Sequence, residues 1–338
     1  MMKRPGFGMI AFLVGALLAL PALAWNRSPA TTFATLPAGA TPPEGLTVDS
    51  SGNVYVATFG FPATGASTSP GQVIVFDSHG KLLRQLVIAG ASPHLLGLAF
   101  NPVTNDLLVL DFGAGQVLRV NPLTGAILGV FSNIGGGSGL NGLTFDAAGN
   151  VYVSDSFQGI IWRIPAGGGT AAVWASDPLL ATTGQPPFGA NGMAFNNSRS
   201  ALFVANTGND SVIEIPVLAG GASGTPEVFA DSINGADGLI IDSSDNVWVA
   251  ANQSDEIVVL DPTGKAIAKL GDFEGIDNEG AVRGLLFPAS LAFHGQFLLV
   301  TNLVLDTRLF GFPTLDSQWA AQVTRYTVSK ISNHLPPR

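Results

Sequence analysis

The sequence predicts an all-β fold, a six-bladed β-propeller of four-stranded blades in one domain. A short motif recurs six times, with steps of 52, 45, 50, 46 and 52 residues, and four of the copies have a polar residue and a glycine before an apolar stretch. This period is typical of propeller blades. No long stretch after residue 24 has helical periodicity, and turn residues separate short runs of β-forming residues. The six copies are EGLTVD (44–49), LGLAFN (96–101), NGLTFD (141–146), NGMAFN (191–196), DGLIID (237–242) and the weaker ASLAFH (289–294).

Each repeat contains the residues of four strands. The third repeat predicts strands at 142–146, 150–154, 159–164 and 170–174. The sixth supplies strands only at 289–293, 297–301 and 322–328, whereas residues 31–36 precede the first repeat without a partner. Pairing that N-terminal strand with the last blade closes the ring and removes an open sheet edge. We therefore expect residues 25–338 to form one closed propeller.

Charge and composition exclude several classes of function. The 338 residues include 15 Lys and Arg against 24 Asp and Glu, a formal net charge of −9, and no basic cluster follows residue 4. Because phosphate binding needs concentrated positive charge, nucleic acid is not an expected partner. The absence of cysteine excludes disulfides, thiolate metal sites and cysteine nucleophiles. We expect a monomer that acts on a small molecule.

Residues 1–24 have the order of a secretory signal peptide. Two basic residues precede an apolar run over 9–20, and Ala22 and Ala24 form a small-residue cleavage site. The run of about 12 residues is too short to span a bilayer, although an uncleaved anchor is the alternative. Cleavage before Trp25 would deliver the propeller to the periplasm or the medium, with no membrane segment left.

The first residue of each repeat is the most informative column. In blades one to six this residue is Glu44, Leu96, Asn141, Asn191, Asp237 and Ala289. At one end of the innermost strands, these side chains would ring the propeller axis. Two carboxylates and two carboxamides favour a hard divalent cation, above all Ca²⁺, over zinc or copper. The alternative is that Asn-Gly and Asp-Gly are ordinary turn dipeptides, which does not explain Glu44.

Long apolar loops are predicted on the same face. Residues 58–71 of the first blade and 302–321 of the sixth would be neighbours in a closed ring, which favours a lid over a pocket rather than inert insertions. The predicted pocket residues are Phe59, Phe61, His94, Phe310 and Trp319. His94 is a candidate base or ligand, with an ordinary loop residue as the alternative.

A second polar column follows the second strands. Because a repeated position usually reflects repeated architecture, we interpret its members as turn-forming. They are Asp111, Asp155, Asn206, Asn252 and Asn302.

The polar ring resembles that of the calcium-dependent six-bladed lactonases and phosphotriesterases. These include the senescence marker protein/gluconolactonase/luciferin-regenerating group, the paraoxonases and squid-type diisopropylfluorophosphatase. The matching residues are Glu44-Gly45, Asn141, Asn191-Gly192-Met193-Ala194-Phe195 and Asp237-Gly238, with the aromatic strand 246–250 after the last. The resemblance covers residues 30–330, although NHL-repeat propellers share the repeat pattern. It implies that Glu44, Asn141, Asn191 and Asp237 hold a catalytic Ca²⁺ and that Asp237 also acts as general base or nucleophile.

Two departures from the family pattern bear on the substrate. Gly139 stands where gluconolactonase-type members carry an Arg that holds a sugar acid, and Leu46 stands where a proline is expected. Together with the apolar loops, they favour a less polar substrate.

These observations predict an exported Ca²⁺-dependent hydrolase of lactones or esters, with Glu44 and Asp237 as catalytic residues. The substrate would be small, fairly apolar and bound at the axis. One alternative is a non-catalytic, NHL-like propeller that binds a peptide, a glycan or a protein. Another is a propeller lyase or a strictosidine-synthase-like condensing enzyme, for which Glu44 is the candidate base.

Overall fold

The computed structural model describes residues 1–2, 27–62, 64–312 and 316–335. The predicted signal peptide, residues 1–24, lies outside these residues except for its first two. Within the described ranges, no helix is both long and apolar enough to cross a membrane.

Short antiparallel strands build the molecule, since β-forming runs alternate with tight turns along the chain. Over the described residues they form six four-stranded sheets, each of which is a blade. Blade 1 contains β2 Pro43–Val48, β3 Val54–Thr58, β4 Gln72–Phe76 and β5 Leu82–Val87, and blade 2 contains β6 Leu95–Phe100, β7 Leu107–Asp111, β8 Gln116–Val120 and β9 Ile127–Asn133. Blade 3 contains β10 Leu140–Phe145, β11 Val151–Asp155, β12 Ile160–Ile164 and β13 Ala172–Ser176, and blade 4 contains β14 Ala190–Phe195, β15 Ala201–Asn206, β16 Ser211–Pro216 and β17 Glu227–Ala230. Blade 5 contains β18 Ala236–Ile241, β19 Val247–Ala251, β20 Glu256–Leu260 and β21 Ala266–Leu270, and blade 6 contains β24 Pro288–His294, β25 Phe297–Asn302, β26 Thr327–Ser332 and β1 Thr31–Thr35.

The remaining elements lie in the connections between strands. A hairpin of β22 Phe273–Ile276 and β23 Val282–Gly284 links blades 5 and 6. Short 3₁₀ helices span Pro178–Leu180, Ala219–Gly221 and Thr307–Phe310, and α1 spans Ser317–Ala320.

The innermost strands form the ring. Each first strand contacts the first strand of the next blade, and β24 of blade 6 contacts β2 of blade 1. The predicted closure is confirmed, because β1 is the outermost strand of blade 6 in the order β1-β26-β25-β24. β1 runs antiparallel to β26 and pairs Thr31 with Lys330 and Thr35 with Thr327.

One predicted strand is misplaced. The third strand of blade 6 is β26, Thr327–Ser332, instead of residues 322–328. Val323 and Tyr326 are buried in the core between blades 6 and 1 although they belong to the preceding loop. Their apolar spacing, which resembles that of a strand, therefore results from the packing of the loop.

An aromatic contact between neighbouring blades recurs at every second junction, which reveals a three-fold repeat of blade pairs. The second strands of blades 1, 3 and 5 carry an aromatic residue that meets the last aromatic residue of the next blade's first strand nearly edge-on. These pairs are Tyr55–Phe100, Tyr152–Phe195 and Trp248–Phe293, with ring centroids 5.1, 5.0 and 5.5 Å apart. The equivalent glycines 45, 142 and 238 are 97 and 96 residues apart. Inter-blade packing thus follows a two-blade unit.

Ring closure can be tested within β1. Ala34 is 4% exposed and packs into the core between blades 6 and 1, whereas the Thr32 side chain is exposed. Ala34→Glu should lower the free energy of unfolding by about 3 kcal/mol, because it buries an unpaired charge. Thr32→Glu, the matched control, should change it by less than about 0.5 kcal/mol. Equal effects in urea unfolding would contradict a closing role for β1.

Candidate functional site

Four polar side chains meet at the propeller axis. Glu44, Asn141, Asn191 and Asp237 each occupy the second position of an innermost strand. They are 3%, 6%, 4% and 4% exposed, and all four line one cavity. We call these four residues the axial tetrad. Leu96 and Ala289 hold the same position in blades 2 and 6, so the ring is apolar on both sides of Glu44.

The glycines after these residues permit close packing of the inner strands. Asn141-Gly142, Asn191-Gly192 and Asp237-Gly238 lie inside strands, so the turn-dipeptide alternative is wrong. A Cβ on Gly238 would lie 2.2 Å from the carbonyl oxygen of Ala289, and one on Gly45 would lie 2.1 Å from that of Leu96. Only glycine lets adjacent inner strands approach this closely, which draws the preceding side chains together.

A second row of polar residues contacts the tetrad. Asn141 Nδ2 donates to Ser156 Oγ (3.2 Å), and Asn191 Nδ2 donates to Thr207 Oγ1 (2.9 Å). In blade 5 the direction of the hydrogen bond is reversed, since Asn252 Nδ2 donates to the tetrad residue, at Asp237 Oδ2 (2.9 Å). We call Ser156, Thr207 and Asn252 the second row.

Asn252 therefore corrects an interpretation made from the sequence. The true turn column pairs with the start of each first strand, as Asp155 does with Leu140 and Asn206 with Ala190. In blade 5 that position is Ala251, so Asn252 lies one residue further and faces Asp237. Asp111, Asp155 and Asn206 do accept from amides two or three residues further on, as turn residues do. Asn302 instead accepts from the Leu286 amide and donates to Thr327 and Ser329.

Glu44 differs from the other tetrad members because its blade supplies no polar second-row residue. Its equivalent second-row position is occupied by Phe59, and Glu44 Oε2 is buried without a hydrogen-bond partner among the described residues. A buried, unpaired carboxylate oxygen is costly, so it marks a position where a missing partner would stabilise the fold.

The pKa values of both carboxyls are raised, mainly by burial. Burial raises the pKa of Glu44 well above its usual range, and the nearby Asp237 raises it further. Burial also raises the pKa of Asp237 to about 7, although hydrogen bonds from Asn252 and Asn191 oppose this shift. A cation between the two carboxyls would reverse both shifts.

The donor set fits a hard divalent cation. Two carboxylates and two amide oxygens are ligands that Ca²⁺ accepts, and no described residue donates a hydrogen bond to Oδ1 of Asn141 or Asn191. Among the described residues, no group of three or more His, Cys, Asp or Glu could hold a metal ion. A cation here would therefore depend on carboxamides as well as carboxylates.

An apolar cap covers the tetrad on the face with the long loops. Phe59, Leu96, Phe287, Ala289, Leu303 and Leu305 form one buried cluster against which Phe61, Phe112 and Phe310 pack. The loops of blades 1 and 6 meet as expected, with the rings of Phe61 and Phe310 5.1 Å apart. Beneath the cap lies a cavity in which the centre of a water molecule can occupy a volume of about 30 Å³. That space suits an ion or water and is too small for an organic substrate.

The predicted pocket residues occupy different layers. Phe59 lines the cavity with the tetrad, whereas Phe61 and Phe310 pack behind it. His94 stacks on Phe61, with centroids 4.3 Å apart, and does not line the cavity. Burial lowers the pKa of His94, despite the opposing charge of Asp111. Trp319 is not brought to the site, since it is 39% exposed and packs on Phe273.

The opposite end of the axis is open. A channel of about 400 Å³ reaches Glu44, Asn141 and Asn191 from the far face. Small or aliphatic residues three positions after the tetrad column line it: Thr47, Ala99, Thr144, Ala194, Ile240 and Ala292.

Sequence reasoning missed the second row and part of the cap. Second-row residues follow their tetrad partners by 15 or 16 positions, as in Asn141–Ser156 and Asn191–Thr207, so this spacing was an available signal. Phe287, Leu303, Leu305, Pro186 and Phe188 also line the cavity. They come from irregular loops, which carry no periodic signal.

The architecture and the tetrad define a six-bladed propeller with a polar axial site. Residues 167–271 match the sequence model of the SMP-30/Gluconolactonase/LRE-like region. This segment covers less than a third of the chain and includes Asn191 and Asp237, but not Glu44 or Asn141. The resemblance to the gluconolactonase/luciferin-regenerating group is confirmed by this match. No curated protein sequence matches the chain.

Solved structures with the same fold cover nearly the whole chain. A luciferin-regenerating enzyme superposes with a TM-score of 0.65 at 16% identity, covering 90% of this chain and 95% of that one. Regucalcin from Agrobacterium tumefaciens, a calcium-binding protein, gives 0.62 at 16% identity, with 92% and 97% covered. A gluconolactonase from Xanthomonas campestris gives 0.59 at 15% identity, with 91% and 96% covered. At these identities the likeness is one of fold.

The buried carboxyls predict an unusual pH dependence of stability in chelator. Because the pKa of Asp237 is raised to about 7 in the folded protein, its stabilising effect is present below pH 4 and is lost as pH rises through 7. Asp237→Asn should therefore raise the free energy of unfolding at pH 8 by about 1–4 kcal/mol, and by much less at pH 5.

Asp242 provides a control of opposite sign for this measurement. Burial raises the pKa of Asp242, but hydrogen bonds from Asn246 and Trp248 oppose this effect, and the pKa is lowered overall. Asp242→Asn should then reduce stability at pH 8. Urea unfolding of both variants at pH 5 and pH 8 in EDTA checks the pair, and a loss of stability in Asp237→Asn at pH 8 would contradict the burial argument.

Proposed function

We propose that this protein is an exported, Ca²⁺-dependent hydrolase of lactones or esters. The observation that carries the proposal is the axial tetrad, in which Glu44 and Asp237 share one buried cavity with two carboxamides. The match of residues 167–271 to the SMP-30/Gluconolactonase/LRE-like region supports a lactonase-type propeller. Regucalcin, with the same fold, is a calcium-binding protein. The same proposal holds if the bound ion is another divalent cation with similar ligand preferences.

The chain's own residues have separate roles in this proposal. The axial tetrad, including Asp237, holds the cation, which when bound would supply a Lewis acid for a carbonyl oxygen. Asp237 also acts as general base toward water, and Asn252 orients its carboxylate by donating a hydrogen bond to Oδ2 (2.9 Å). The apolar cap keeps bulk water away from the reacting groups on the loop face.

The cap also supports a proposal for the class of substrate. No charged side chain other than Glu44 and Asp237 lines the cavity among the described residues, and its loop side is formed by Phe59, Phe287 and three leucines. Gly139 leaves no basic group to hold a sugar acid. We therefore expect a small, fairly apolar lactone or ester that displaces cap side chains as it enters, because the present space is ion-sized.

Cation binding itself can be tested by calorimetry. Titration of CaCl₂ into metal-free protein at pH 8 should show one site, and Ca²⁺ at about 100 times Kd should stabilise the fold by about 2.7 kcal/mol. Glu44→Gln and Asp237→Asn should each abolish or strongly weaken binding, because each removes a negative ligand. Asp242→Asn should bind Ca²⁺ normally. Wild-type protein without binding heat or thermal shift would refute the metal site.

Catalysis needs its own experiment. Wild-type protein with Ca²⁺ should hydrolyse apolar lactones or aryl esters, and EDTA should abolish this activity reversibly. Asp237→Asn should lower kcat at least about 100-fold, since a positioned general base contributes about 10²–10⁴-fold. Ca²⁺ binding without hydrolysis of any such substrate would favour the alternative, an NHL-like propeller that binds a partner without catalysis.

Export is the remaining part of the proposal. Residues 1–24 have the order of a signal peptide, so the secreted protein should begin at Trp25. N-terminal sequencing of protein from the periplasm or medium would show this directly.

A further inference from the structure

Two buried hydroxyl groups make the same pair of hydrogen bonds in adjacent blades. Ser156 Oγ accepts from Asn141 Nδ2 (3.2 Å) and donates to the carbonyl of Ala190 (2.7 Å). Thr207 Oγ1 accepts from Asn191 Nδ2 (2.9 Å) and donates to the carbonyl of Ala236 (2.7 Å). The two hydroxyl residues are 2% and 1% exposed. Each bridge therefore joins a tetrad side chain to the residue just before the next tetrad member.

Hydrogen-bond accounting shows what these bridges do. A hydroxyl has one hydrogen, and here that hydrogen is given to a backbone carbonyl. The hydroxyl can then only accept from the amide, so the NH₂ group must face it and Oδ1 must face elsewhere. If the Asn191 amide were flipped, Thr207 would have to choose between two acceptors and leave one buried oxygen unsatisfied, which is unfavourable.

The distribution of polar residues argues against a purely architectural role. Where the axial residue is apolar, the second-row residue is apolar as well: Phe112 corresponds to Leu96, and Leu303 to Ala289. Blades 6 and 1 are joined without a second-row hydroxyl, because Thr301 Oγ1 donates to the carbonyl of Glu44 (2.7 Å). Linking adjacent blades thus does not require a hydroxyl at the second-row position, whereas orienting an amide does.

We infer that Ser156 and Thr207 are positioning residues, which hold the Asn141 and Asn191 amides with their oxygens available to the cation. This inference rests on the proposed function for its ligand, but the orientation of the two amides is a property of the chain itself. Partners that orient metal ligands typically change metal affinity 10–100-fold when removed.

The test compares three variants of buried threonines. Thr207→Val removes the hydroxyl and keeps the shape, so the Kd for CaCl₂ by calorimetry should rise about 10–100-fold. Thr207→Ser keeps the hydroxyl and should restore the wild-type Kd. Thr327→Val is the matched control, because Thr327 is fully buried and accepts from the Asn302 amide (2.9 Å), away from the tetrad. It should reduce thermal stability and leave the Kd unchanged.

A second measurement does not depend on the cation. In metal-free protein, NMR should show slow hydrogen exchange of the Asn191 side-chain amide, and exchange should be faster in Thr207→Val but not in Thr327→Val. If wild-type protein binds CaCl₂ and Thr207→Val binds it equally well, the positioning inference is overturned and the proposed function stands. If wild-type protein binds no CaCl₂, the proposed function fails, and the exchange rates alone then decide the inference. Equal amide exchange in wild type and Thr207→Val would overturn it.

Discussion

The confinement of two carboxyl groups at the propeller axis is the constraint on which the site depends. Glu44 and Asp237 are buried, and their pKa values are raised by burial and, for Glu44, by the charge of the other carboxyl. Such an arrangement opposes folding at neutral pH unless a cation compensates it. The surrounding ring of six blades sustains it, and at five of the six junctions the inner strands touch at a glycine where a side chain would collide with the next backbone. The two buried carboxyls thus lower the stability of the fold at the site that we propose to be functional.

The site is divided between two half-rings of different polarity. In blades 3 to 5 the axial residues are polar and contact the polar second row of Ser156, Thr207 and Asn252. In blades 6, 1 and 2 the second-row positions are Leu303, Phe59 and Phe112, and only Glu44 is polar at the axis. A ligand bound here would meet hydrogen-bonding groups on one side and the apolar cap on the other. This asymmetry is consistent with a substrate that combines an ester-like group with an apolar body.

The fold and the tetrad could be predicted because both repeat. Repetition supplies six independent indications of the same strand order, and a column of oxygen donors at Glu44, Asn141, Asn191 and Asp237 emerges once the repeats are aligned. The boundary of β26 could not be predicted, because Val323 and Tyr326 pack as loop residues with a strand-like pattern. Asn252 was misplaced for a related reason: it follows the last residue of its strand by one position, and only strand pairing shows that Ala251 holds the turn position.

By itself, the sequence determined the number of blades, the ring closure by the N-terminal strand and the identity of the axial residues, since local propensity and a fixed period act along the chain. Only the tertiary structure decided which side chains share the cavity. It brought Thr207 and Asn252 to the tetrad, placed Phe287 and Leu305 over it, and left Trp319 on the surface against Phe273. Those contacts depend on how separate blades and irregular loops meet in space, and no periodicity along the chain encodes the distance between them.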